Sequence, residues 1–172
     1  MKTVLLKTIF LIFLLSCSDD SVSFDQDSRV KTIYGIEVIL QNGIKDEVIG
    51  DLERNPCQEN EFELIAFPNP YFATGTFIQY NLDEEKEVEV SIETAKVTSD
   101  LKSQLYEKGY EVKTHTKYTN YVFYTEIKDE GLNSVLHLMY IFEPGPYLIK
   151  ITDKKGNSSC FPYIIVPNTE TP

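Results

Sequence analysis

The sequence predicts an all-β fold, an antiparallel sandwich of about seven or more short strands with one short inserted helix. Three observations carry that expectation. Val88, Val90 and Ile92 alternate with Glu87, Glu89, Ser91 and Glu93, which gives a strand one apolar and one polar face. Further β-rich runs recur along the chain, parted by proline, glycine and asparagine. Only one stretch has helical spacing, whereas a parallel α/β sheet needs a helix between most of its strands.

Taken in order, Val30 to Leu40 is rich in β-branched and aromatic residues and reads as a strand. Ile44 to Arg54 fits either a short helix or a turn with a strand fragment, and Asn55-Pro56 ends it. Phe62 to Phe67 is a strand stopped by Pro68-Asn69-Pro70. Thr76 to Leu82 puts Ile78, Tyr80 and Leu82 on one face, and Asp83-Glu84-Glu85 turns into the alternating strand. Val97, Leu101 and Leu105 are then four residues apart. Ser99 or Asp100 is placed to cap the start of that helix, with Lys108 and Gly109 at its end. Strands resume at Tyr110 to Lys113, Tyr118 to Ile127, Ser134 to Phe142, Tyr147 to Thr152 and Phe161 to Val166. Pro144-Gly145-Pro146 bends the chain before Tyr147, a tyrosine expected to be half buried with its hydroxyl wet. Asp153 to Ser159 makes a polar hairpin loop.

The amino-terminal segment has a different character. Lys2 and Lys7 precede an apolar run from Ile9 to Leu15, shorter than the ~20 residues that cross a membrane but suited to the core of a signal peptide. The run ends Leu14-Leu15-Ser16-Cys17, which resembles the lipobox of bacterial lipoproteins. That resemblance implies removal of residues 1–16 and acylation of Cys17, a lipid anchor in which several acyl chains contribute ~0.8 kcal/mol per buried CH₂. A plain secreted protein with a chance cysteine is the alternative. Ser18-Asp19-Asp20 is similar to the acidic export signal of Bacteroidota-type surface lipoproteins, which implies the outer membrane and its exposed face. Residues 17–29 read as a flexible acidic tether, 30–60 as an N-terminal extension with a strand packing on the main domain, 61–167 as the sandwich and 168–172 as a disordered tail.

Charge narrows the partners. The chain has 16 basic and 27 acidic residues, a net charge of −11, and two of the lysines lie in the signal segment. Such a chain repels phosphate backbones and anionic head groups, which argues against nucleic acid and leaves membrane attachment to the lipid. With Cys17 acylated, Cys57 and Cys160 remain as an even pair in an oxidising compartment, where a disulfide is the default expectation. Closing a loop of ~100 residues is valued at ~4.7 kcal/mol on chain entropy. Two buried free thiols are the alternative.

Two stretches resemble a known superfamily. One is Phe67-Pro68-Asn69-Pro70 with Thr76-Phe77-Ile78-Gln79-Tyr80-Asn81-Leu82, the charged turn, and Val88-Glu89-Val90-Ser91-Ile92. The other is Pro144-Gly145-Pro146-Tyr147-Leu148-Ile149-Lys150-Ile151 followed by Asp153 to Gly156. Both are similar to strands of the Ig-like sandwiches of the flagellar hook-capping protein and the type IX secretion sorting domains. The resemblance implies an Ig-like fold for residues 62–166. It differs at Ala95 to Thr119, which carries the helix, and at the C-terminus, so the fold is carried over and the function is not.

Catalytic chemistry finds little footing. His115 lies in a polar run and reads as a solvated loop histidine; His137, between Leu136 and Leu138, reads as a sheet histidine bonded to a neighbour. No Gly-x-Ser-x-Gly elbow is present for a serine nucleophile, and no position pairs a cysteine with a histidine. Most carboxylates, such as Glu87, Glu89 and Glu93, fall on exposed strand phases or turns, and not in the apolar site a glycosidase acid needs. Asp83 to Glu87 lacks the glycine turn of a calcium loop, and Asp153 to Ser159 carries two lysines. No metal site, cofactor or catalytic residue is expected. The function expected is therefore a lipid-anchored, non-enzymatic envelope module that binds a protein or stands as a structural accessory. A surface carbohydrate- or peptide-capture protein is the alternative, with Tyr118, Tyr121 and Tyr124 as stacking residues.

Overall fold

The computed structural model describes residues 30–57, 60–71, 75–82, 87–126, 134–138 and 142–167, with the main chain alone at 87, 123–126 and 134–138. The signal segment, Cys17, the acidic tether, the Asp83–Glu85 turn and the tail at 168–172 lie outside these residues. Eleven strands and one helix are present among them: β1 (Thr32–Ile33), β2 (Gly35–Ile39), β3 (Lys45–Gly50), β4 (Leu64–Phe67), β5 (Thr76–Tyr80), β6 (Glu87–Thr94), β7 (Lys96–Val97), α1 (Ser99–Glu107), β8 (Asn120–Glu126), β9 (Ser134–Leu138), β10 (Gly145–Asp153) and β11 (Ser158–Ile165). The fold is all-β and sandwich-like, as the sequence predicts.

The period of two decides where each strand faces. A central antiparallel sheet, in the order β11-β10-β6-β8, stands opposite a second antiparallel sheet, β4-β5-β9. Val88, Val90 and Ile92 of β6, Tyr147, Ile149 and Ile151 of β10, and Phe161, Tyr163 and Ile165 of β11 point into the main core. They meet Leu64, Ile78 and Tyr80 there. The intervening residues Leu148 and Ile164 point the other way, into a second core with Ile36, Val38 and Ile49 of the β2–β3 hairpin and Leu101 and Leu105 of α1. The central sheet is thus sandwiched between the second sheet and a hairpin–helix layer. The short β1 pairs with β7 in parallel and ties that layer to the end of β6.

This third layer changes what alternation alone implies. The polar face of β6 is not open to water: Ser91 is buried and Glu89 and Glu93 are half-buried. The helix also starts one residue earlier than its acidic turn suggests. Thr98 is its cap, with Oγ1 accepting from the Leu101 N–H at 3.1 Å, and Val97 belongs to β7. At the other end Gly109 takes a left-handed φ of +88°, and the N–H groups of Gly109 and Tyr110 donate to the carbonyls of Tyr106 and Leu105, both at 2.9 Å. That closure uses Tyr110 to finish the helix, so Tyr110 to Lys113 is not a strand, although Val112 is buried.

Two buried asparagines hold distant segments together, Asn69 between layers and Asn55 within the hairpin–helix layer. Asn69 donates through Nδ2 to the carbonyls of Glu37 (2.9 Å) and Pro162 (3.1 Å), and its Oδ1 accepts from the Ile164 N–H at 3.0 Å. Its backbone exchanges two further bonds with Ile39. One side chain therefore links β2 to β11. Asn55 does the same for the turn after β3, accepting from the Tyr34 and Gly35 N–H groups and donating to the Gly35 carbonyl at 2.8 Å.

Much of the outer edge of β11 is occupied. The outward N–H of Cys160 donates to Asn60 Oδ1, that of Ile164 to Asn69 and that of Val166 to the Tyr71 carbonyl, while Pro162 has no N–H to offer. Ser159 Oγ donates to the Phe62 carbonyl at 2.7 Å and accepts from the Phe62 N–H at 3.0 Å. An edge covered in this way is a poor template for pairing with another chain.

Candidate interaction surface

Cys57 and Cys160, 103 positions apart in sequence, form a disulfide with Cα atoms 5.2 Å apart. The segment that follows the 3-10 turn Leu52–Arg54 brings Cys57 alongside β11, where Asn60 and Phe62 continue the same contact. The bond ties the hairpin–helix layer to the central sheet. Cys17, the expected anchor, lies outside the described residues.

Two clefts of about 480 Å³ each flank the disulfide. One is lined by Lys31, Glu93, Leu148, Lys150, Asn60 and Ser158. The other is lined by Glu37, Lys45, Phe62, Leu64 and Phe161. In the second, Lys45 Nζ is 3.0 Å from Glu37 Oε1, so its charge is already balanced. In the first, no ion pair within 4 Å forms among the described residues.

A separate apolar cluster lies at the tip of the β2–β3 hairpin. Leu40 and Ile44 face each other across the turn, with the Leu40 N–H donating to the Ile44 carbonyl at 2.9 Å; they are 45% and 58% exposed. Gly43, at φ +78°, sits against the Phe67 ring, which stacks on the partly exposed Phe77 at 5.4 Å. Val48, further along β3, is also exposed. The sequence reading did not single out these residues, and an apolar pair astride a Gln-Asn-Gly turn is the signal that marks them.

His115 is not the solvated residue that its polar neighbours suggest. It is half-buried, with Nε2 2.9 Å from the Pro146 carbonyl and its ring edge-on to Tyr147 at 4.6 Å. A carbonyl only accepts, so Nε2 carries the proton. A Cβ on Gly145 would collide with this ring, which is why the corner has glycine. Tyr147 is 1% exposed, and its hydroxyl, expected to be wet, instead donates to the Glu143 carbonyl at 2.6 Å. A tyrosine at the start of a strand thus bonds back to the chain four residues upstream, an arrangement similar to the tyrosine corner known from β-sandwiches.

Burial lowers the His115 pKa below its ordinary value, opposed by the Pro146 bond and the nearby Glu143. A base with a lowered folded pKa binds more protons unfolded than folded, so its share of stability is lost as pH falls below about 6.5. Between about pH 7.5 and about pH 5, the wild-type protein should therefore lose more urea stability than His115→Gln. Equal losses would show that the histidine does not contribute.

The remaining candidates separate. The side chains of His137, Tyr124 and Glu87 lie outside the described residues. Tyr118 is half-buried, and Tyr121 is exposed with its ring edge-on to Phe142 at 5.0 Å. Asp153 closes its hairpin: Oδ1 accepts from the Lys155 and Asn157 N–H groups and Oδ2 from Asn157 Nδ2. No group of three metal-ligating side chains occurs among the described residues, nor any helix long and apolar enough to cross a membrane. No protein-family profile and no curated protein matches the chain.

Proposed function

We propose that this protein is a non-enzymatic envelope lipoprotein, held to the outer membrane through lipid on Cys17, whose Ig-like sandwich engages a protein partner. The observation that carries the binding half is the exposed apolar set of Leu40, Ile44 and Phe77, backed by the half-buried Phe67, on a disulfide-stapled scaffold. The disulfide supports the compartment, since such bonds persist where the surroundings are oxidising. The anchor is supported by Leu14-Leu15-Ser16-Cys17.

Two measurements test the two halves. Mass spectrometry of the native protein should find acyl chains on Cys17, and an unmodified sulfur there removes the anchor. Crosslinking in intact cells should give a defined adduct with the wild-type chain that disappears in Leu40→Asp/Ile44→Asp. Both side chains are exposed, so that variant should keep its fold; an adduct unchanged by it rules out the hairpin tip as the contact.

A further inference from the structure

We propose that the cleft beside the disulfide, floored by Leu148 and walled by Lys31 and Lys150, binds a carboxylate presented by an acidic peptide segment. This deepens the protein-binding reading and rests on it for the peptide character of the ligand. The cleft lies on the opposite face of the central sheet from the main core, at the margin of the hairpin–helix layer, where Lys150 of β10 is exposed and the largely buried Leu148 reaches the floor.

The argument is one of unmet charge. Lys45, Lys108 and Lys113 each have a carboxylate oxygen within 3.2 Å. Lys31 and Lys150 have none within 4 Å among the described residues, as Lys102 and Lys117 also have none, but these two converge on one cleft, which Glu93 lines as well. The equal cleft on the other side of the disulfide shows the contrast, because there Glu37 already occupies Lys45.

Two ammonium groups and one carboxylate leave the cleft with a single net positive charge, which suits a monoanion better than a doubly charged phosphate. Asn60 has its Oδ1 taken by the Cys160 N–H, so its amide NH₂ is the group left to donate, and Ser158 adds a hydroxyl. Leu148 and Pro56 give an apolar bed for the stem that carries the acid. No aromatic ring is among the described residues lining the cleft, and an acidic sugar would lack a stacking surface. A glutamate side chain on a peptide fits all four features.

The test titrates the full mature protein, labelled for NMR, with acetyl-Leu-Glu-Leu amide, with its Leu-Gln-Leu counterpart and with oligogalacturonate. The expected result is saturable shifts at Leu148, Lys150 and Ser158 with the glutamate peptide, weakened at least about tenfold by Gln, by Lys31→Met/Lys150→Met and by raised salt. Both lysines are exposed, so the double variant should fold as the wild type does. The same titration on Leu40→Asp/Ile44→Asp should be unchanged, which separates this cleft from the hairpin tip. No saturation up to about 10 mM, equal binding of Glu and Gln peptides, retention in the double variant, or preference for oligogalacturonate each overturns the proposal.

Discussion

Replacing both bonded cysteines, Cys57→Ser/Cys160→Ser, should lower the unfolding free energy by about 4 to 5 kcal/mol, the chain-entropy value for a loop of this size. The bond closes the chain from β4 to β11, leaving only β1 to β3 outside, so its loss releases the unfolded chain across a long loop. The native contacts nearby should survive, because Ser159, Asn60 and Phe62 hold the same segment to β11 by hydrogen bonds. Urea unfolding should therefore move to a lower midpoint while the circular dichroism of the folded state stays the same. A loss below about 1 kcal/mol would mean that the staple constrains little in the unfolded ensemble. A collapse of the folded spectrum would mean instead that the segment at 55–62 depends on the covalent bond.

The second large effect falls on Asn69. Asn69→Ala strips a partner from the Ile164 N–H and from the carbonyls of Glu37 and Pro162, in a site that is 1% exposed. Leaving a buried polar group unmet costs about 1–3 kcal/mol, so the loss should be about 3 kcal/mol or more. Asn69→Asp is a sharper probe. It keeps the acceptor for Ile164 but turns a donor into a charged acceptor facing two carbonyl oxygens. Near neutral pH it should destabilise at least as much as alanine, as read by urea unfolding. An aspartate variant close to wild type would show that the two carbonyl bonds are not the source of the effect.

How much of this was legible from the residues follows from the range of each interaction. The Val88–Val90–Ile92 strand, the Leu101–Leu105 face, the Pro-Gly corner and the Asp153 hairpin are local patterns and stand where the sequence places them. The Cys57–Cys160 bond follows from counting cysteines. The polar phase of β6 is more buried than alternation implies, because what covers that face of the sheet lies outside the strand's own pattern. Asn69 was legible only as a strand breaker between two prolines; its role depends on β2 and β11, which no local pattern brings together. His115 was misread for a similar reason, since its partners Pro146 and Tyr147 lie thirty residues away. The cleft lysines carry no signal in their own neighbourhoods; what marks them is that the fold brings Lys31 and Lys150 to one cleft.

The staple between Cys57 and β11 also sets how the molecule would answer a pull. Tension applied ahead of residue 30 peels β1 from β7 and then draws out the hairpin, but extension stops at Cys57, which is covalently fixed to the central sheet. The released length is on the order of 90 Å of chain, after which the tension runs through a sulfur–sulfur bond and leaves the main core shielded. Under strain from its amino-terminal side, the protein is built to lengthen by a fixed step and then hold.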